Sequence, residues 1–272
     1  MNVITRELQL RLLEVMKTFH SVCVKHNLKY YMVNGTILGA IRHEGFIPWD
    51  DDMDIGMPRE DYEKLLVLTQ KEWPQNIHIK TPYNSNDLVF PFMKVMDKNT
   101  TLVEDRLDGI VEGIYIDIFP LDGAGNSFFT AIWRYYVFYW KKGLLFNNQD
   151  HELKKSILRR LIQSYARKRD VNRLLKSAEN WMKKKRFDES EIVGNFPGSW
   201  GLKEFMNKTI LGNPTLYKFE DTEFYGPENA TEYLELLYGD YMTLPPMEQR
   251  KSHHKLRYLN LDLPFAKYNE KV

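Results

Sequence analysis

The chain has 272 residues, of which 43% are hydrophobic and 28% charged, a globular composition that excludes wholesale disorder. Its single cysteine, Cys23, excludes an intramolecular disulfide and falls in an apolar helical pattern, which indicates a buried structural thiol. No stretch reaches the roughly 18 apolar residues that a membrane span needs. The first residues carry scattered charges and are not typical of a signal peptide, so we expect a cytoplasmic protein.

The net charge of +1 conceals an uneven distribution along the chain. Residues 141–186 contain fifteen Lys or Arg and four Asp or Glu, a local charge of +11 that leaves −10 for the remainder. Such a basic block indicates an anionic partner, either a nucleic acid or a lipid headgroup surface. The alternative is the solvated outer face of charged helices.

The first elements are predicted from periodicity and turn chemistry. Apolar residues at helical spacing predict an amphipathic helix over residues 5–25. The stretch LKYYMVNG predicts a short strand that runs into an Asn-Gly turn, and TILGAIRHEG predicts a short helix that ends at Gly45. Pro58 is expected at the first position of the next helix, because proline suits that position.

Strands dominate the segment that follows. They are predicted at IHIKTP, VFPFMKVMD, TLVED and GIYIDIFPLDG, and the last shows the most regular alternation. Strands that alternate with helices, several joined by short loops, favour an α/β or α+β domain with a mixed sheet. We predict three segments: a core over residues 1–124, a helical insertion over 125–190, and a C-terminal part over 191–272 that completes the core.

The predicted insertion is dense in aromatic residues at its start and in basic residues beyond. Aromatic side chains beside Lys and Arg can mark a helix in a membrane interface, which would place residues 128–186 on the inner face of the membrane. The alternative, which we favour here, is an ordinary helical hairpin that packs these aromatics into its own core.

Two separated stretches place aspartates among alternating apolar residues. In DMDIGM, Asp52 and Asp54 are two positions apart, so they project from the same side of a strand. In GIYIDIFPLD, Asp117 is an acid inside an otherwise hydrophobic strand, where an unpaired charge is costly. If the two strands are neighbours, the three carboxylates form one cluster.

Such a cluster would suit Mg²⁺, which prefers carboxylates and water and often shares its site with substrate phosphates. The NGT turn of residues 34–36 enters a helix, whose N-terminal N–H groups would suit a phosphate. We expect Asp51 to be a turn residue that points away from the cluster. We expect Asp50 to contact the metal ligands without binding the metal itself.

Two other interpretations compete with the magnesium site. The acids at positions 50, 52 and 54 mimic the start of an EF-hand loop, but Ile55 stands where glycine is required and Asp61 where glutamate is required. A plain acidic turn leaves the alternation and the isolated Asp117 unexplained.

These motifs resemble a known signature. The stretch NGTILGAIRHEGFIPWDDDMDIGMPREDYEKL, together with IYIDIFPLDG and FYGPENATEYLELLYGDYMTLPPMEQRKSHH, is similar to the LicD family, bacterial phosphocholine transferases related to the fukutin-related proteins. The resemblance covers roughly the first 125 and the last 55 residues. It implies a nucleotidyltransferase-like fold with a small mixed sheet flanked by helices. It also implies transfer of phosphocholine, or a related phospho-alcohol, from CDP-choline to a hydroxyl of a glycan such as teichoic acid or a capsule repeat, releasing CMP.

The resemblance also implies roles for individual residues. Asp52 and Asp54 would be the Mg²⁺ pair, and Asp117 the third acid, as ligand or general base. Gly35 and Thr36 would lie beside the substrate phosphates.

Basic residues are the other candidates for substrate binding. Arg42 and His43 would contact phosphate, with a surface role as the alternative for His43. Arg250 and His254, near the C-terminus, would stabilise the departing CMP phosphate. Trp49 is a candidate for an aromatic cage around choline, with core packing as the alternative.

Two rivals remain at this stage. A nucleotidyltransferase would use the same acids but attach the nucleoside monophosphate to the acceptor. A non-catalytic nucleotide or nucleic-acid binder would use the basic block, but that block carries no recognised nucleic-acid motif, so we expect no nucleic-acid partner.

Overall fold

The computed structural model describes residues 3–68, 70–85, 91–105, 110–149, 156–252 and 256–268. The α-helices are α1 Val3–Lys25, α2 Asn34–His43, α3 Arg59–Val67, α4 Phe128–Gln149, α5 Ile157–Arg167, α6 Val171–Met182, α7 Lys208–Leu211 and α8 Ala230–Tyr238. The strands are β1 Tyr31–Met32, β2 Asp54–Pro58, β3 Ile77–Lys80, β4 Met93–Asp97, β5 Thr101–Glu104, β6 Val111–Glu112, β7 Tyr115–Gly125, β8 Ile192–Gly194, β9 Phe205–Asn207, β10 Thr215–Phe219, β11 Thr222–Gly226 and β12 Leu256–Asn260. Helices and sheets together confirm the predicted α+β fold.

The chain divides into two compact units. The first covers residues 1–80, 93–119 and 209–272, and the second covers 81–92 and 120–208. The second unit contains the predicted helical insertion and extends beyond it in both directions. Strand β7 belongs to both units, because the division falls between its residues 119 and 120.

The first unit is built on a sheet with the strand order β1-β2-β7-β4-β3. Strands β3, β4 and β7 are antiparallel neighbours, with Val95 opposite Ile116 and Lys94 opposite Asp117. Because side chains alternate along a strand, Ile116 lies on an apolar face and Asp117 on the other face. Helix α1 lies against β4, and its Met16 and Phe19 are fully buried, which closes the core of this unit.

Three turn predictions are wrong by small shifts. Helix α2 begins at Asn34 itself, whose φ of 49° lies in the left-handed region that asparagine tolerates, and no separate turn precedes it. That helix ends at His43, and Glu44, with φ 52°, supplies the left-handed cap expected of Gly45. Pro58 has an extended ψ of 137° and ends β2, so α3 starts one residue later, at Arg59.

The other predictions in this unit agree with the structure. Helix α1 covers the predicted span 5–25, three of the four predicted strand stretches contain β3, β4 and β5, and the fourth covers β7 except for its last two residues. Cys23 is buried as expected, and burial raises the pKa of its thiol, which keeps it protonated. The C-terminal strands β10, β11 and β12 had no counterpart in the prediction.

The second unit is mainly helical. Helices α5 and α6 both contact α4, and a core of apolar side chains joins them to β8 and β9; it consists of Ala124, Ala131, Phe138, Leu145, Leu175, Ala178, Met182, Ile192, Phe196 and Phe205. Within the described parts of the chain, no helix is both long enough and apolar enough to cross a bilayer.

The interpretation of α4 as a helix that packs its aromatics inward is wrong. Phe138 is buried in the core, but Phe129 is 83% exposed and Trp133, Tyr136 and Tyr139 are more than half exposed. The core of the unit is filled by residues on the opposite side of the helix. The aromatic residues of α4 therefore form a surface.

Candidate active site

The start of α2 is tied to the first residue of β2. The backbone N–H of Asp54 donates to Thr36 Oγ1 at 2.8 Å, and its carbonyl accepts from the Val33 N–H at 3.0 Å. The side-chain amide of Asn34 donates to Asp54 Oδ2 at 3.1 Å. The backbone N–H of Asn34 in turn donates to the Tyr233 hydroxyl at 3.2 Å. The NGT segment therefore orients one carboxylate of the predicted cluster.

Asp117 lies beside that carboxylate. Strand β7 is the neighbour of β2, and the Asp117 N–H donates to the Met53 carbonyl at 3.0 Å, which sets Asp117 level with the segment between Asp52 and Asp54. Burial, and then the negative charges of Asp52 and Asp117, raise the pKa of Asp54, against the opposing hydrogen bond from Asn34. The structure thus brings the three predicted acids together, although β2 starts only at Asp54.

Two more aspartates join this group. One ligand oxygen each of Asp50, Asp51 and Asp52 lies within 4.8 Å of the others, so Asp51 lies beside Asp52, although it is not among the carboxylates that raise the pKa of Asp54. Asp50 is buried, and its backbone carbonyl accepts from the Gln9 side-chain amide at 2.8 Å. The Ser252 hydroxyl donates to Asp51 Oδ2. Carboxylates are thus grouped over residues 50–52, and the charges of Asp50 and Asp52 act on Asp54.

Gly35 and Thr36 have structural explanations of their own. A Cβ atom on Gly35 would lie 2.7 Å from Asp50 Oδ2, so the carboxylate approaches a space that only glycine leaves open. Thr36 is buried, and its hydroxyl accepts a hydrogen bond from the Asp54 backbone N–H. Both residues shape the acidic loop, and their predicted contacts with substrate stay a prediction.

A basic and aromatic group lies at the edge of the acidic loop. The Arg42 guanidinium donates from Nε to His43 Nε2 at 3.0 Å and from Nη1 to the Tyr241 carbonyl at 2.7 Å. Burial, and then the charge of Arg42, lower the pKa of His43, so this imidazole is neutral and accepts the hydrogen bond. The imidazole packs edge to face on Trp49, with ring centroids 6.3 Å apart.

Arg250 completes this group from the C-terminal segment. Its guanidinium lies 5.6 Å from the centre of the Trp49 ring, and its Nε donates to the Pro245 carbonyl at 2.8 Å. Burial lowers the pKa of Arg42, and the nearby Arg250 lowers it further, while Tyr238 and Asp50 act in the opposite direction. Trp49 is partly exposed and not a core residue, and His254 lies outside the described residues.

Sequence reasoning missed a second charged group on the same face of the sheet as Asp117. Lys80 and Lys94 are buried opposite each other on β3 and β4, and both donate to the carboxylate of the buried Glu112, at 2.6 and 2.8 Å. The Lys94 ammonium also lies 3.5 Å from the centre of the Tyr115 ring. Because two ammonium groups share one carboxylate, this group has a net positive charge, and it lies beside the acidic cluster.

The position of Lys94 could have been flagged from the sequence. It is a charged residue inside the apolar run FMKVM, just as Asp117 is inside IYIDIF. The same cost of an unpaired charge applies to both. The register, which sets Lys94 directly opposite Asp117, was not readable from the pattern.

A cleft elsewhere on the first unit has a different character. It has a volume of about 690 Å³ and is lined by charges that pair with one another: Arg6 with Glu220, Lys17 with Asp221, and Arg11 with Asp262. Its cations are already compensated by the chain's own carboxylates. The clustered acids at residues 50–54 are therefore the stronger candidate for chemistry.

Comparison with known proteins points to the same region. Residues 27–172 match the family described as LicD/FKTN/FKRP, nucleotidyltransferase domain. The chain is 29% identical over 261 residues to the lipopolysaccharide cholinephosphotransferase LicD of Haemophilus influenzae, which covers 92% of this chain and 95% of that protein. It is also 48% identical over 82 residues to an uncharacterized protein of Rickettsia prowazekii, covering 26% of this chain and 31% of that one. The matched segment contains the acidic loop, Lys80, Lys94 and Asp117.

Proposed function

The chain belongs to the LicD/FKTN/FKRP nucleotidyltransferase-domain family, and on this basis we propose that it is a Mg²⁺-dependent phosphotransferase that moves phosphocholine, or a related phospho-alcohol, from CDP-choline to a glycan hydroxyl and releases CMP. The similarity to the Haemophilus enzyme over almost the whole chain favours a sugar of lipopolysaccharide as the acceptor. Teichoic acid, a capsule repeat and a lipid-linked glycan precursor present the same hydroxyl chemistry.

The observation that carries the proposal is the proximity of Asp52, Asp54 and Asp117: Asp54 and Asp117 lie on the neighbouring strands β2 and β7, and Asp52 lies just before β2. Carboxylates this close repel one another unless a cation neutralises them. Oxygen ligands of this kind are those that Mg²⁺ prefers. These acids therefore suit a divalent cation: Asp50, Asp51 and Asp52 offer oxygens within 4.8 Å of one another. Asp54 and Asp117 lie close enough for their charges to interact with each other, and we propose that Asp52, Asp54 and Asp117 hold the ion.

A bound Mg²⁺ would supply neutralisation of the charge on the donor's phosphates. The side chains of the protein do the rest. Asn34 fixes the orientation of Asp54 through its 3.1 Å hydrogen bond. A carboxylate of this group that is not engaged by the metal would accept the proton of the attacking sugar hydroxyl.

Two arginines beside the acids, Arg42 and Arg250, suit the CMP half of the donor. Arg42 and Arg250 lie close enough for the charge of one to lower the pKa of the other, a repulsion that an anion between them would relieve. We assign them to the CMP phosphate, which leaves with additional negative charge. His43 is neutral in this setting and serves as a hydrogen-bonding partner of Arg42.

The decisive experiment follows both halves of the donor. Purified protein is incubated with Mg²⁺, a glycan acceptor and CDP-choline labelled separately on the cytidine and on the choline, alongside other CDP-alcohols. We expect labelled choline on the acceptor and labelled cytidine in free CMP. Cytidine label on the acceptor would instead establish a nucleotidyltransferase.

Two controls belong to this assay. Asp52→Ala and removal of Mg²⁺ with EDTA should each abolish CMP release, whereas Asp262→Ala should not, because Asp262 is 85% exposed and pairs only with the surface residue Arg11. CMP release that persists in Asp52→Ala and in EDTA would contradict the mechanism.

A further inference from the structure

Helix α4 of the second unit presents an apolar face to solvent. Between residues 128 and 140 of this helix, seven residues are exposed, and all are aromatic or aliphatic: Phe128, Phe129, Ile132, Trp133, Tyr136, Tyr139 and Trp140. At 3.6 residues per turn these positions share one side of the helix, over a length of about 18 Å. We call this surface the aromatic face.

The same stretch of helix turns its one charged residue inward. Arg134 is 1% exposed, and its guanidinium donates to the Trp181 and Met182 carbonyls at 2.8 and 3.0 Å. A surface helix normally has the opposite arrangement, with charges outside and apolar residues inside. A contiguous exposed apolar surface of this kind marks a site of interaction.

A basic groove adjoins the aromatic face. Trp140 lines both surfaces, because it also forms part of a groove of about 420 Å³ between α4, α5 and α6. The groove carries four cations: Lys141, Lys168, Arg169 and Arg173. Its one carboxylate, Asp170, accepts the Arg173 backbone N–H as the N-terminal cap of α6.

We propose that the aromatic face rests in the interface of an anionic lipid bilayer and that the basic groove binds the phosphates of its headgroups. Trp and Tyr favour this interface because their rings are apolar at one end and polar at the other. The seven side chains of the aromatic face supply the buried apolar area, and the four cations supply attraction to anionic lipid. This goes beyond the proposed function and does not depend on it.

Charge argues against a second copy of this chain as the occupant. A two-fold symmetric dimer places the same surface of both subunits together. Here that would bring two basic segments, each with a charge of +11 over residues 141–186, next to each other. An anionic bilayer complements both the aromatic face and the basic groove.

The test is flotation of the full-length protein with lipid vesicles. Wild-type protein should float with vesicles of phosphatidylcholine mixed with phosphatidylglycerol and bind pure phosphatidylcholine at least about tenfold more weakly, since each of four cations contributes near an anionic surface. Added salt should weaken the binding. Equal binding to both vesicles, or none to the anionic ones, overturns the proposal.

Two pairs of variants separate the aromatic and basic contributions. Phe129→Ser with Tyr136→Ser should abolish flotation, whereas Val67→Ser, at a position 77% exposed on α3, should not. Lys168→Glu with Arg173→Glu should weaken flotation on anionic vesicles at least about tenfold, and the matched surface pair Lys29→Glu with Lys71→Glu should leave it nearly unchanged. Circular dichroism and thermal melting confirm that each variant is folded.

Other occupants would appear as distinct results. A dimer in light scattering that Phe129→Ser with Tyr136→Ser disperses, without vesicle binding, identifies a second copy and overturns the proposal. Binding to single-stranded RNA with no binding to anionic vesicles overturns it in favour of a nucleic acid. Loss of vesicle binding in both double variants, with both control variants unaffected, supports it.

Discussion

Two surfaces of the molecule have unusual burial, in opposite ways. One is the face of the sheet in the first unit that carries Asp117, and the other is the aromatic face of α4 in the second unit. Charged groups are buried at the first of these: Lys80 and Lys94 on the sheet, and their partner Glu112 on β6 of a second sheet, are each less than 7% exposed. On α4, large apolar side chains are exposed while Arg134 is buried. Charged residues are normally outside and large apolar ones inside.

The two departures differ in how they are compensated. In the first unit, Glu112 is paired within the fold by two lysines, and the crowded aspartates are the ligands that we propose for a cation. On α4, backbone carbonyls of the protein accept the hydrogen bonds of the buried Arg134. The exposed rings, by contrast, are covered by the bilayer that we propose as their partner outside the chain. The first departure therefore bears on chemistry and folding, and the second on binding.

The largest effect is expected at the acidic cluster. Asp54→Asn should lower transfer activity by at least about 10²-fold, the scale seen when one strongly interacting group is removed from an active site. The same change should raise the melting temperature in Mg²⁺-free buffer, because burial and the charges of Asp52 and Asp117 oppose ionisation of Asp54. Thermal melting with and without Mg²⁺ measures this, and Mg²⁺ should stabilise the wild type more than the variant.

The control for this prediction is Asp262→Asn, which removes an exposed carboxylate and should change neither quantity. A variant that loses activity because it unfolds, with a melting temperature below that of the wild type, would contradict our view that the acids of this loop are held together at a cost in stability.

The next effect concerns the two buried ion pairs that Glu112 forms with Lys80 and Lys94. Glu112→Gln should reduce the free energy of unfolding by about 3–5 kcal/mol, because it leaves Lys80 and Lys94 buried without their carboxylate. Urea denaturation measures the loss. Glu44→Gln is the matched control: its partner Lys218 is 61% exposed, and an exposed pair is worth at most about 1 kcal/mol. Equal losses in the two variants would show that burial of the Glu112 pairs has no energetic consequence.

Glu204 in the second unit gives a smaller effect that depends on pH. Burial raises the pKa of Glu204 to about 7, against the hydrogen bond from the Trp200 backbone N–H and the charge of Lys142. The unfolded pKa is 4.5, so between pH 4.5 and 7 the folded state holds a proton that the unfolded state has lost. Stability therefore falls as pH rises through this range, by about 3 kcal/mol in all.

The variant Glu204→Gln isolates this contribution. It keeps an acceptor for the Trp200 N–H, which lies 2.8 Å from Oε1, and removes the titration. Chemical denaturation at several pH values should show a flatter profile for the variant than for the wild type. Parallel profiles would show that Glu204 ionises in the folded protein as readily as in the unfolded chain.

Much of the first unit could be predicted because its patterns are local. Alternation along GIYIDIF identified both the strand and the face of Asp117, and the clustered acids identified the loop. The pairing of Lys80 and Lys94 with Glu112 was not predictable, since it depends on the register between β3 and β4 and on the position of β6, a strand of another sheet. Pairing between distant strands is not encoded in the pattern of either strand alone.

The second unit shows a different limit. Periodicity predicted the helices, but not which side of α4 would be buried, because aromatic residues occur on both sides. The decisive feature was Arg134, which turns inward when carbonyls at the end of α6 accept its hydrogen bonds. That partner lies 47 residues away along the chain.

The smallest expected effect tests the aromatic face directly, through two phenylalanines of the same helix. Phe129→Ala should change the free energy of unfolding by no more than about 0.5 kcal/mol, because this ring is 83% exposed. Phe138→Ala, nine residues later at a fully buried position, should cost about 3–5 kcal/mol. Denaturation in lipid-free buffer measures both. A large loss for Phe129→Ala would mean that the ring is covered within the chain, and the face would then have no apolar surface left to place in a bilayer.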